Sequence, residues 1–423
     1  MTPLVLTLGC PAVDAGAHFE VIECRRAEEI TAHLAGSRPC AAVLIPARSG
    51  TLDRDFVGTA TDAGCRVVAV GPEPAGADCT AIGVTAVLPL RFTIDDLLAA
   101  VAHPTPHPTP RPTPHPTPHP TPRPNRDGSD TDGPHREQSR LLVAVTGPHR
   151  EQSRLPVAVT GPHREQIRLL VAVTGPGGTG ASTVAMAVAQ GLGTGRQTVL
   201  ADLRLNAELA VLHGVDSGAP GLEELVHACG KGRAPDPSDW TVAVPERGYR
   251  LVVGVHASRA WICIRPLAFA AALDIMRATH DVVVADIEAD VEGEDDSGSI
   301  DVEERNTMAR AALRAAGAAV VVGGPGRKGA HALARVISDL VAFGVEPARV
   351  IPVVNRAPSG GAAVSLPDLA DLPDLADLAD CRGRLPDAFC DPVVAAVIAV
   401  GSTPPEPAPP RPVTPGRIGG WPA

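Results

Sequence analysis

Over the first hundred positions, apolar residues fall into short runs separated by polar stretches with helical spacing. Leu4–Leu8, 41–45, Arg66–Val70 and 85–88 read as strands, whereas 27–35 and 94–101 read as helices, the second opened by Asp95 and Asp96. Short apolar strands alternating with helices predict a parallel, doubly wound sheet. The same alternation returns over 167–358, followed by a Leu-Pro-Asp-Leu-Ala-Asp repeat at 366–380 and a short helix near 391–400. The expected fold class is α/β, with two doubly wound domains at 1–101 and 165–400.

Between them the pattern breaks down. Residues 102–124 are Pro-Thr-Pro-His and Pro-Thr-Pro-Arg units. Proline at every second position removes helix and ladder hydrogen bonds, so an extended polyproline II spacer rising about 3.1 Å per residue is expected. It holds His103, His107, His115 and His119, kept apart by the extended chain and read as solvated. Three copies of a fourteen-residue unit then begin at Gly133, Gly147 and Gly161. Only the third runs into a glycine-rich loop and a helix, so it alone is read as a strand of the second domain. The first two, one carrying Pro156, are read as linker, which makes 102–164 a disordered Pro-rich connection. The Pro-rich tail at 401–423 is expected to be disordered.

Composition narrows the function classes. Aromatics make up only 2% of the 423 residues, so the cores must be built from Val, Leu, Ile and Ala. The Ala, Gly, Pro and Arg bias is that of a GC-rich, actinobacterial type of genome. Net charge is −11, with no basic stripe, which disfavours nucleic acid as a partner. The nine cysteines form no Cys-x-x-Cys pair and have no histidines at zinc spacing, so they are read as reduced thiols. No basic segment followed by an apolar core opens the sequence, and no uncharged apolar run reaches the roughly 18 residues that span a bilayer. A cytoplasmic protein without direct membrane insertion is expected.

The candidate chemistry lies at 174–183, Thr-Gly-Pro-Gly-Gly-Thr-Gly-Ala-Ser-Thr, between an apolar strand and an Ala-rich helix at 182–192. That context gives the glycines meaning. They let the backbone turn tightly, so that successive N–H groups face phosphate oxygens, and a helix N-terminus adds its positive dipole end. Gly175, Gly177, Gly178, Thr179, Gly180, Ser182 and Thr183 are the candidate nucleotide-binding residues. Ser182 sits where a hydroxyl would ligate magnesium.

The loop resembles the deviant Walker A motif of the MinD/ParA ATPases, Lys-Gly-Gly-x-Gly-Lys-[Ser/Thr]-[Ser/Thr], and further signposts follow in order. The run 198–202 resembles the second strand, ending in the switch I aspartate, here Asp202. The run 280–286 resembles the Walker B strand, with Asp286 near magnesium, and 318–322 the next strand. Val350–Val354 with Asn355 and Arg356 resembles the strand and Asn-Arg pair that meet adenine. The resemblance implies ATP with magnesium as cofactor, held at Ser182, Asp202 and Asp286. The departures matter as much. The P-loop lysine is Ala181, the signature lysine that crosses to a partner subunit is Pro176, and the water-positioning aspartate falls at Arg204. Phosphoryl transfer relies on cations and positioning, and removing one such group costs about 10²–10³ in rate. Little or no turnover is expected, with no catalytic residue assigned. Arg204, or Arg327 with Lys328, is the substitute cation that a working ATPase would need. The acidic stretch 288–304 is read as a solvated loop.

The first domain resembles a response-regulator receiver without its chemistry. Gly9-Cys10, Ile45-Pro46 and Pro89-Leu90-Arg91 stand where the acidic pair, the phosphoacceptor and the lysine belong. A degenerate receiver, a linker and a MinD-like domain together resemble the CpaE/TadZ group, and within it the actinobacterial CpaE-like septum site-determining proteins. That resemblance implies a regulator of septum placement that acts through protein contacts, with residual nucleotide binding. The alternatives are a localisation factor for a Flp pilus or Tad secretion system, and an ATP-hydrolysing MinD-type switch. Implied partners are cell-division or Tad secretion proteins, which would recruit the chain to septum or pole. A homodimer that needs no nucleotide stays open, because Pro176 cannot serve as the crossing lysine. The prolines after Gly401 exclude a MinD-type membrane helix there.

Overall fold

The computed structural model describes residues 2–10, 18–36, 38–72, 77–102, 168–216, 218–356, 370–371 and 384–401. The expectations for the proline tract, the first two fourteen-residue copies and the tail from 402 fall outside these residues, as does most of the Leu-Pro-Asp repeat.

The first sheet has strands β1 (Leu4–Leu8), β2 (Glu20–Cys24), β3 (Cys40–Pro46), β4 (Arg66–Val70) and β5 (Ala86–Leu88) in the order β2-β1-β3-β4-β5. Every pairing is parallel. Helices α1 (Ala27–Leu34), α2 (Arg54–Asp62) and α3 (Ala77–Ala81) make crossovers between strands, and α4 (Ile94–Ala102) follows β5. Successive strand side chains point to opposite faces, and both faces are covered. Leu4, Leu6, Val43, Ile45 and Val67 pack with Ile30 of α1 and with Val57 and Ala60 of α2. Val5, Ala42, Leu44 and Val68 pack with Leu97 and Ala100 of α4. Three elements escaped the sequence pattern: β2, α2 and the short α3. Edge strand β2 carries Glu20 and Glu23, and its Glu20 pairs with Arg38. Helix α2 contains Gly58 and two threonines, poor helix formers, and is started by Asp53, whose carboxylate accepts the Phe56 N–H at 2.8 Å. Folding also brings together two cysteines that stand far apart in sequence: Sγ of Cys40 and Sγ of Cys65 lie 2.8 Å apart.

The second sheet contains β6 (Leu169–Thr174), β7 (Thr198–Leu203), β8 (Val242–Val244), β9 (Tyr249–Val252), β10 (Val282–Ile287), β11 (Ala318–Gly323), β12 (Val350–Val354) and β13 (Ala370–Asp371). Their order is β13-β12-β11-β6-β10-β7-β9-β8, parallel throughout except for the β8–β9 hairpin. The helices are α5 (Ala181–Leu192), α6 (Leu209–Leu212), α7 (Leu222–Gly230), α8 (Pro266–Thr279), α9 (Glu294–Ser297), α10 (Ile300–Arg305), α11 (Thr307–Ala315), α12 (Gly326–Phe343) and α13 (Asp387–Gly401). Leu170, Ala172, Val283 and Ala285 face α7, α8, α11 and α12, with Trp240 and Phe269 filling that layer. Val171, Val173, Val282 and Val284 face α5 and α13. Both sheets are therefore doubly wound, as the alternation of elements predicts. Helix α5 is small-residue and apolar on nearly every side because it lies between the sheet and α13. Gly191 allows that approach: a Cβ there would lie 2.4 Å from Val394. Gln190 locks it, donating to Leu385 O and accepting from Leu385 N, each at 2.8 Å.

The acidic stretch differs from expectation. Rather than a solvated loop, it holds α9 and α10 and is tied down by arginines, Glu303 to Arg310 and Asp290 to Arg305. Among the described residues no helix is long and apolar enough to cross a membrane.

The two sheets meet through α2, which lies against α7 and α8. Helix α8 opens with Pro266, and the side chain of Arg265 at its cap position accepts no hydrogen bond. The acceptor comes instead from the other sheet's layer. Asp55 of α2 takes the N–H of Leu267 at 2.8 Å and of Ala268 at 3.0 Å. Its carboxylate is buried, and burial raises its pKa despite these two donors. Gly58 lets the helices close, since a Cβ there would strike Leu267 at 2.3 Å. Lys231 Nζ adds bonds to the carbonyls of Gly50 at 2.7 Å and Leu52 at 2.9 Å.

Candidate phosphate-binding site

Strand β6 sits mid-sheet with β10 on one side and β11 on the other, where the winding reverses. In open α/β sheets ligands bind at the carboxyl ends of strands beside such a reversal. The glycine-rich loop lies there, between the end of β6 at Thr174 and the start of α5 at Ala181.

Its glycines are required by conformation and by space. Gly178 and Gly180 hold φ of +78° and +84°, and Gly180 is the cap residue of α5. A Cβ on Gly175 would lie 2.2 Å from the Val322 carbonyl oxygen, and one on Gly180 would lie 2.4 Å from Asn355 Nδ2. A Cβ on Gly177 would meet nothing within 4 Å among the described residues. Thr179 Oγ1 donates to Pro176 O at 2.7 Å, which tightens the turn. The first backbone bond into α5 runs from Val184 N to Gly180 O, so the N–H groups of Ala181, Ser182 and Thr183 precede the helical ladder, as at any helix start. The loop thus has the backbone form of an anion cradle.

Asn355 and Arg356 arrive from the end of β12 and bind the loop itself. Asn355 is buried; its side chain donates to Thr179 O at 2.9 Å, and its backbone N–H to Gly323 O at 2.9 Å. Arg356, with φ of +61°, reaches Gly178 O at 3.4 Å. Their observed contacts brace the cradle.

Two carboxylates stand beside it. Asp202 on β7 and Asp286 on β10 are register partners, and both are fully buried. Asp202 accepts the N–H of Leu209 at 2.9 Å and of Arg204 at 3.4 Å. Burial raises its pKa, the neighbouring Asp286 charge raises it further, and those N–H groups with the Arg204 charge hold it back. Burial also raises Asp286, opposed by the Arg204 charge and by the Ser182 hydroxyl. Among the described residues, neither oxygen of Asp286 meets a donor at full hydrogen-bond geometry.

Arg204 stands where the resemblance places a water-positioning aspartate. Its Nη1 lies 3.5 Å from Asp286 Oδ1 and 3.4 Å from Ile287 O. Nη2 bonds Glu288 Oε2 at 3.1 Å, while Glu288 Oε1 accepts the Leu205 N–H at 3.2 Å. Glu288 is the residue that sequence reasoning missed. The available signal was its position two beyond Asp286, on the same side of an extended segment. Arg327 and Lys328 fall in the first turn of α12.

The oxygens of Ser182, Asp202 and Asp286 are of the kind magnesium takes. Their surroundings do not fit it. Both oxygens of Asp202 are engaged by backbone N–H groups, and a guanidinium already faces Asp286. In this structure a fixed positive charge, the Arg204 guanidinium, stands 3.5 Å from Oδ1 of the Asp286 carboxylate in the expected magnesium set.

Fold and loop together define a class: a parallel, doubly wound α/β protein with a phosphate-loop type of turn at its switch point. No protein-family model matches the chain, and no curated protein does. Solved structures similar to it include a ParA family ATPase from Chlorobium tepidum, with 15% identity and TM-score 0.42, covering 55% of this chain and 99% of that one. The septum site-determining protein MinD from Pyrococcus horikoshii, complexed with Mg-ADP, has 19% identity and TM-score 0.41, covering 55% and 94%. A putative plasmid partition protein from Borrelia burgdorferi, bound to AMPPNP, has 12% identity and TM-score 0.42, covering 55% and 97%. Likeness at this level leaves the functional argument to the chain's own residues.

Proposed function

We propose that the chain is a MinD-like regulator of septum placement that acts through protein contacts and has lost ATP turnover. One observation carries the loss of turnover. The backbone cradle is intact, but Pro176 and Ala181 stand at the positions of its cations, and Arg204 is held by Asp286 and Glu288. Transferring a phosphoryl group needs positive charge on its oxygens as the bond breaks, and the loop's own residues offer N–H groups, hydroxyls and a helix start, while Arg356 is spent on the loop's Gly178 carbonyl. Those suffice to bind an anion without cleaving it. The ordered signposts from Gly175 to Arg356 support the MinD-like reading, and septum placement follows from the resemblance to CpaE-like proteins.

Phosphate release from ATP, measured on the full chain with magnesium, tests the reading. No release above buffer is expected. Release that disappears in Asp286→Ala would overturn it in favour of a working switch. Deleting the gene and scoring septum positions separates the division role from secretion. Normal septa with lost pili would move the assignment to the Tad alternative.

A further inference from the structure

Asp202, Asp286 and Glu288 bring three carboxyl groups to one end of the sheet, two of them fully buried. Buried carboxylates seek a cation. In this fold the chain supplies one itself. The Arg204 side chain is 16% exposed, and its fork is placed by three groups: Asp286, the Ile287 carbonyl and Glu288. Glu288 is in turn fixed by the Leu205 N–H. A guanidinium is permanently charged and suits carboxylates held in fixed geometry.

We propose that Arg204 is the resident cation of this site, standing in for a divalent metal against Asp286. Magnesium needs near-ideal octahedral oxygens and its own waters. It would meet a like charge on the guanidinium, in a pocket where water screens little. The ligand class that fits is a nucleoside polyphosphate or inorganic polyphosphate without metal, held by loop N–H groups. That part rests on the phosphate-loop reading above, whereas the cation exchange at Asp286 can be tested without any nucleotide.

Thermal unfolding of the full chain, with and without magnesium chloride, is the primary measurement, using sodium chloride at equal ionic strength as the control. The unaltered chain should not respond to magnesium, and it should leave the free manganese(II) electron paramagnetic resonance signal undiminished. Arg204→Ala should melt roughly 5–10 °C lower, and about 10 mM magnesium should recover at least half of that fall by binding the folded form alone. Arg204→Lys should stay insensitive to magnesium. Stoichiometric manganese uptake by the unaltered chain overturns the proposal. So does an Arg204→Ala variant that melts normally, or that falls without recovery in magnesium. If Arg204→Ala does not fold, the unaltered chain and Arg204→Lys decide. A fluorescent ATP analogue keeps the two readings apart. Affinities in magnesium and in EDTA within about threefold support the resident cation, and strict dependence on magnesium overturns it. Absence of binding in both defeats the phosphate-loop reading, while the melting series still decides on Arg204.

Discussion

Asp55→Ala should loosen the joint between the two sheets at the start of α8. The substitution removes the acceptor of two backbone N–H groups, Leu267 at 2.8 Å and Ala268 at 3.0 Å, next to a proline that cannot donate. Leaving a buried donor unsatisfied costs about 1–3 kcal/mol, and losing a cap costs about 0.5–2 kcal/mol. The burial cost of the carboxylate, visible in its raised pKa, is recovered on substitution and offsets part of this. The net loss is about 2 kcal/mol. Asp55→Asn keeps one acceptor and should lose about half as much. The pH dependence has a definite sign. A carboxyl whose folded pKa is raised takes up a proton more readily in the folded chain. Its contribution is greatest below the ordinary aspartate range and declines as pH rises through the raised value. The advantage of the unaltered chain over Asp55→Asn should therefore shrink as pH rises through that window. Urea unfolding followed by fluorescence of Trp240 and Trp261 gives the energies, and amide exchange at Leu267 and Ala268 locates them. A loss below about 0.5 kcal/mol with unchanged exchange at both amides would refute the reasoning.

Three further outcomes follow from the packing. Gly175→Ala should lower stability by about 1–3 kcal/mol, because its Cβ would strike the Val322 carbonyl, while Gly177→Ala in open space should stay within about 0.5 kcal/mol; melting curves of the two variants check the contrast. Gln190→Ala should free α13 from α5, because Leu385 loses both partners of its backbone groups, at about 1–3 kcal/mol for each group left bare; faster amide exchange along α13 is the readout. Cys263 is exposed, whereas Cys40, Cys65 and Cys229 are buried. A thiol reagent with peptide mapping should therefore label Cys263 in the folded chain and the other three only after unfolding.

How much the sequence revealed depended on whether the relevant partner was local. Strands β3, β4, β6, β10 and β11 are buried on both faces, so each reads as a mainly apolar run, even β10 with Asp286 near its end. Edge strand β2 has no such run, because among the described residues one side of it lacks a neighbour. The glycine loop was legible because its turn is made by residues adjacent in sequence. The Arg204 arrangement was legible only as a missing aspartate. Its partners Ile287 and Glu288 lie more than eighty positions away, and nothing local announces that a guanidinium will swing onto β10. Asp55 is the clearest case. Its role as a helix cap belongs to a helix 212 positions further on, and it stands in a stretch that shows no helical pattern of its own.

The Gln190–Leu385 clasp has a mechanical consequence. Helix α5 begins at the cradle and is gripped, one residue before Gly191, by a side chain that holds both backbone groups of Leu385. Leu385 leads directly into α13, so the clasp ties the start of that helix to α5, which is capped at its own start by Gly180. The clasp thus makes α5 and the C-terminal helix one mechanical unit that ends at the anion cradle.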